Sequence, residues 1–104
     1  MLGNEREKIR HLLVIQDLQG RRTIPLRETT YSLGRHPANT IVLASRSVSM
    51  QHAILLRVTV PENDQYAFQI IDGNYKGKGS TNGLFVNGDK CFSHHLRHGD
   101  IIAF

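Results

Sequence analysis

The stretch Tyr31 to Ala53 (YSLGRHPANTIVLASRSVSMQHA) carries the residues best suited to chemistry, in two clusters: Gly34-Arg35 and Ser49-Met50-Gln51-His52. A guanidinium is a planar fork of N–H donors and a serine hydroxyl adds one short directional bond, so an Arg and a Ser held together suit a tetrahedral oxyanion. Motifs this short do not by themselves separate that site from a surface arginine and a turn serine. The elements that carry them decide whether they converge. Tyr31-Ser32-Leu33 alternates like the end of a half-buried strand and stops at Gly34-Arg35, which puts the arginine at a loop base, fixed and exposed. His36 precedes Pro37 and is biased away from helix, while Pro37-Ala38-Asn39 offers a tight turn into a second short strand, Ile41-Val42-Leu43. Ser45, Arg46, Ser47 and Ser49 then form a hydroxyl-rich connection that hands over at His52 to the strand-like Ala53 to Val58. Consecutive strands usually lie side by side, so the two loops can meet at one end of a sandwich.

At 104 residues, with 39% apolar and 21% charged side chains, the chain is sized for one globular domain with one core. No apolar run approaches the ~20 residues that span a bilayer, and Met1 to Arg10 is charged where a signal peptide is apolar, so a cytoplasmic location is expected. The single cysteine, Cys91, cannot form an internal disulfide and fits a reducing compartment. A net charge of +4 and a pI near 9.6 favour anionic partners.

Residues 1–10 are polar with alternating charge and read as a frayed arm; the folded domain is expected over residues 11–104. His11 to Gln16 reads as a buried strand, turning through Asp17-Leu18-Gln19-Gly20 into Arg21 to Leu26. Pro61 to Gln65 is a polar turn between the strand His52 to Thr59 and the alternating Tyr66 to Ile71. Asp72 to Gly83 (DGNYKGKGSTNG) is a long Gly-rich loop, and such loops in small domains are usually functional. Leu84 to Phe92 forms a hairpin on the Asn87-Gly88 turn, and His94 to Phe104 is expected to form a last one on His98-Gly99-Asp100. Many short strands and no amphipathic helical stretch predict an all-β, two-sheet antiparallel sandwich.

Competing chemistries fit less well. Gly73 to Lys78 departs from a P-loop in spacing and lacks the Ser or Thr after the lysine. Cys91, His94, His95 and His98 include zinc-capable types, but adjacent strand residues face opposite ways, so no metal site is expected. Ser49 and His52 lack a nucleophile elbow and an orienting acid, so no catalytic residue is assigned. The few aromatics do not interleave with the basic residues as single-strand stacking platforms do, and nucleic acid is not an expected partner.

Gly34-Arg35, Ser49-x-x-His52, Ser80-Thr81-Asn82-Gly83, Val86-Asn87-Gly88 and Gly99-Asp100, in this order, make residues 26–104 similar to the forkhead-associated (FHA) domain. The resemblance implies an FHA/SMAD-like sandwich whose end loops bind a phosphothreonine peptide, no enzyme activity, no cofactor, no membrane and a functional link to a Ser/Thr kinase. It implies that Arg35 and Ser49 bind the phosphate, Thr81 lines the pocket and Asn82 bonds the peptide backbone. Gly34, His52 and Gly83 would support the site, and Met50, Tyr75, Lys76 and Lys78 would form its rim, with an acidic or aromatic preference beyond the phosphothreonine. Met50 departs from the family, which often has Arg, Asn or Lys there; the alternative is that it fills a gap in the core. The family also continues into a final strand about where Phe104 ends this sequence, so a longer protein is expected. An FHA-like interaction or self-assembly module that ignores phosphate is the alternative function.

Overall fold

Turn residues set the strand boundaries. The computed structural model describes residues 10–61 and 65–104, and among them the chain is all β. The strands are β1 (Leu12–Asp17), β2 (Gly20–Pro25), β3 (Thr30–Gly34), β4 (Ile41–Val42) and β5 (Ala53–Val60), followed by β6 (Gln65–Asp72), β7 (Leu84–Val86), β8 (Asp89–Cys91), β9 (Ser93–His95) and β10 (Ile102–Ala103). Asn87 and Gly88, at φ 53° and 87°, make the tight turn between β7 and β8. Positive φ at both positions matches the twist of the flanking strands, which is why Asn-Gly marks this hairpin.

A five-stranded sheet runs β4-β3-β5-β6-β9, a three-stranded sheet runs β10-β7-β8, and β1 pairs with β2 alone. Pairs are antiparallel except β3 with β4, which run parallel with Leu33 opposite Ile41. The five-residue strand β3 lies between β4 and β5, whose Ala53 lies opposite Leu33. β3, which launches the Arg35 loop, therefore sits beside both strands that flank the Ser49 loop, β4 and β5. One core takes side chains from all three sheets: Ile15 of β1, Leu33 of β3, Leu55 of β5, Ile70 of β6 and Leu84 of β7 among them. Leu55, Ile70 and Leu84 are wholly buried. The alternation of β3 and β5 puts Leu33 and Leu55 inside and leaves Ser32 on the outer face.

Asp17 docks the first hairpin onto the loop after β4, its Oδ2 accepting the Ala44 N–H at 2.9 Å while Leu18 N–H donates to the Ala44 carbonyl at 3.1 Å. Arg22 lies 3.6 Å from the same carboxylate and also donates to the Val42 carbonyl.

The expected hairpin over His94 to Phe104 does not form. β9 pairs with β6 and β10 pairs with β7, so the two strands lie in different sheets. Asp100 shapes the crossing: its carboxylate accepts the Arg97 N–H at 2.8 Å, Asn87 Nδ2 at 3.0 Å and His94 Nε2 at 3.1 Å. A tight turn fixes a change of direction and leaves open which sheet edge the next strand completes. Of the arm expected over residues 1–10 and the turn expected over residues 61–65, residues 1–9 and 62–64 fall outside the described residues.

Candidate functional site

Gly34 ends β3 where the next loop must pass close to another backbone. A Cβ at Gly34 would stand 2.3 Å from the Met50 carbonyl oxygen, so only glycine fits here. The close approach lets Arg35 N–H donate to the Ser49 carbonyl at 3.0 Å and His36 N–H to the Met50 carbonyl at 3.2 Å. Asn39, a buried polar residue of the same loop, adds Nδ2 bonds to the Met50 carbonyl at 2.7 Å and the His36 carbonyl at 2.9 Å. Arg35 is thus fixed at its backbone, and its Nε donates to the Val48 carbonyl at 3.1 Å. The side chain is exposed, and its two terminal nitrogens have no acceptor among the described residues. A guanidinium clamped at Nε and open at its fork is prepared for a planar, bidentate oxyanion contact.

Ser49 lies on the facing loop. His52 Nδ1 accepts the Ser49 N–H at 3.0 Å, and Ser49 Oγ accepts the Thr81 N–H at 2.9 Å. The Ser49 hydroxyl hydrogen is left to donate elsewhere. His52 is wholly buried; with Nδ1 an acceptor, Nε2 carries the hydrogen and donates to the Gly83 carbonyl at 2.7 Å. The Phe104 ring packs edge-on against it at 4.9 Å. Both ring nitrogens are engaged, neither with Ser49 Oγ, so His52 does not act as a base on that hydroxyl. It is a tie between two loops.

Asn82 reaches the same place from the third loop, donating Nδ2 to the Ser47 carbonyl at 2.7 Å. Its Oδ1 and second N–H remain, a pair matched to one peptide group. Asp72 anchors this loop: its carboxylate accepts Ser80 Oγ–H and, at 3.3 Å, Ser80 N–H, while Ser80 Oγ accepts the Gly83 N–H at 3.0 Å. Gly83 has φ 88°, the left-handed region that side chains resist. Arg35, Ser49, Thr81 and Asn82 therefore converge through direct contacts between three loops distant in sequence.

The remaining predicted residues surround this cluster unequally. Met50 is 44% exposed, which sets aside the core reading. Tyr75 is 68% exposed and borders a cleft beside the cluster; Lys76 and Lys78 are exposed but do not line that cleft. Asn74 shapes their loop, its Oδ1 accepting the Lys76 N–H at 2.9 Å and the Lys78 N–H at 3.1 Å. Sequence reasoning passed over Asn39 and Asp72 as positioning residues. Asn39 looked like one more turn residue, and nothing local marks it as the buried tether it is. Cys91 is half-buried, and burial raises its thiol pKa above the ordinary value.

A family model, "FHA domain", matches residues 31–104, and the chain belongs to the FHA domain family. FHA domains are β-sandwiches that serve as phosphopeptide-binding interaction modules. The chain is 43% identical over 91 residues to the protein sll1895 of Synechocystis sp., a match covering 88% of this chain and 13% of that protein's length. The crystal structure of Slr1951 from Synechocystis sp. is similar at TM-score 0.82 with 43% identity, covering 88% of this chain and 85% of that one. EmbR from Mycobacterium tuberculosis, solved with a low-affinity phosphopeptide, is similar at TM-score 0.67 with 26% identity over 89% of this chain and 22% of EmbR. Among the described residues no helix is long and apolar enough to cross a membrane.

Proposed function

We propose that this domain binds a threonine-phosphorylated protein or peptide in Ser/Thr-kinase signalling. The observation that carries the reading is the Arg35 guanidinium, held at Nε by the Val48 carbonyl and open at its fork, beside a Ser49 hydroxyl with its hydrogen to spare. The phosphate, carrying about −1.5 to −2 charge at pH 7, takes bonds from both. Asn82 holds the peptide group beside it, and Thr81 completes the wall. Gly34, His52 and Gly83 keep the loops in register. Membership of the FHA family and the phosphopeptide carried by the EmbR structure support the reading. The cytoplasm is the proposed compartment.

The test is a titration of one peptide in phosphothreonine, phosphoserine and plain forms, followed by fluorescence anisotropy. The phosphothreonine form binds tightest, the phosphoserine form several-fold more weakly for want of a methyl worth about 1 kcal/mol in an apolar niche, and the plain form weakest by far. Equal binding of phosphorylated and plain peptides would leave a phosphate-independent module in its place.

A further inference from the structure

The loops that bring Arg35, Ser49 and Asn82 together also enclose a cleft of about 180 Å3. His36, Asn39, Gln51, Asn74 and Tyr75 line it, together with Ile54. Ile54 lies on the outer side of β5, across from Ser32, and it stands apart from the core cluster although it is only 7% exposed. An outward apolar side chain is therefore shielded at this cleft. The volume falls short of the ~300–1,000 Å3 usual for small-molecule pockets and suits a single side chain.

The polar groups around it have one hand free. His36 Nδ1 accepts the Ala38 N–H at 2.9 Å, so Nε2 carries a hydrogen to donate. Asn74 commits Oδ1 to the Lys76 and Lys78 amides and keeps its side-chain N–H groups, whereas Asn39 commits Nδ2 to two carbonyls and keeps Oδ1. The Gln51 amide has no partner among the described residues and offers both functions. No Asp, Glu, Lys or Arg lines the cleft. The lining presents donors and acceptors together, without formal charge, beside the Ile54 and Tyr75 apolar surfaces.

We infer that this cleft is a specificity subsite for one neutral carboxamide side chain, glutamine or asparagine, of the bound phosphopeptide; the inference rests on the phosphopeptide reading above. A carboxamide both donates and accepts, so it satisfies Asn39 Oδ1 and the N–H groups of His36 and Asn74 at once. A carboxylate offers only acceptors and leaves Asn39 Oδ1 unpaired, and an aliphatic side chain leaves every head group unpaired. Unpaired polar groups in a desolvated site are what discriminate strongly between ligands.

Alanine-based phosphothreonine peptides carrying Gln, Glu or Leu at one flanking position at a time test this by anisotropy. One position prefers Gln over Glu, Leu and Ala by about fivefold or more, as expected for one well-made hydrogen bond. The variant Gln51→Ala, at an exposed position lining the cleft, removes that preference while leaving affinity for the all-alanine phosphopeptide unchanged. Phosphate-dependent binding that is blind to Gln at every position overturns the subsite alone. So does a Glu preference, or a Gln preference that survives Gln51→Ala. Absence of phosphate-dependent binding overturns the subsite and the phosphopeptide reading together.

Discussion

At the residue scale, Met50 and His52 sit two positions apart and do opposite work. Met50 is exposed beside Ser49 and donates nothing from its side chain, so a phosphate bound as proposed would lack one contact that a cation would give. Met50→Arg is expected to tighten phosphopeptide binding by somewhat less than about tenfold, because screening and side-chain ordering offset most of a new charged bond. Calorimetric titrations at rising salt check this: the gain shrinks as ionic strength grows. A variant that melts lower and binds no better would contradict it. His52→Ala instead orphans the Ser49 N–H and the Gly83 carbonyl and opens a cavity against Phe104. Each orphaned group costs about 1–3 kcal/mol, so the melting temperature and phosphopeptide affinity should fall together. A variant with an unchanged melting temperature would show that the tie is dispensable.

At the element scale, the hairpins are legible because their turn residues carry the conformation: Asn87-Gly88 reads as a turn from its two residue types alone. The Arg35, Ser49 and Asn82 loops are legible as strand ends and as a family pattern. What local sequence does not encode is which edge a short strand completes, and so the β9 and β10 pairings and the parallel β3/β4 pair emerge only in three dimensions. The tethers Asn39 and Asp72 escape for a similar reason, since Asn39 bonds the Met50 carbonyl on the facing loop and Asp72 closes its own loop onto Ser80, contacts that only the folded loops create. Gly34→Ala should disturb the site through the elements alone: the added methyl meets backbone at 2.3 Å, so the β3 loop must part from Met50. Lower stability and weaker phosphopeptide binding are expected, measured by thermal melts and anisotropy. Two carboxylates that lock connections also set a pH dependence. The Ala44 N–H first, with the Gln19 N–H and Arg22, holds Asp17 below the ordinary 3.8, against a contribution from burial that raises it. Asn87 first, then the Arg97 N–H and His94, does the same for Asp100, again against burial. Both groups bind protons more readily when unfolded, so their stabilisation is complete above about pH 4 and is lost as pH falls through the lower folded values. Melts from pH 7 downward should show a shallower acid loss in the Asp17→Asn, Asp100→Asn double variant than in the parent; parallel profiles would contradict this.

At the scale of the whole molecule, a five-stranded sheet and two smaller ones share one core, and the site is what their connections form at one end. None of the strands supplies the chemistry from its interior. The scaffold holds three loops within hydrogen-bonding distance, and a net charge of +4 gives the domain a general attraction for anions that salt weakens. General attraction and a specific phosphate site differ in one respect: only the second depends on a particular guanidinium. The direct measurement is therefore calorimetric titration of matched phosphothreonine and plain peptides into the parent and the Arg35→Ala variant, with a thermal melt of each. Removing Arg35 is predicted to lower phosphopeptide affinity by tens of fold or more, leave the weak binding of the plain peptide as it was, and leave the melting temperature within about a degree, since the side chain is exposed. An Arg35→Ala domain that holds the phosphopeptide as tightly as the parent would place the phosphate elsewhere and contradict the account.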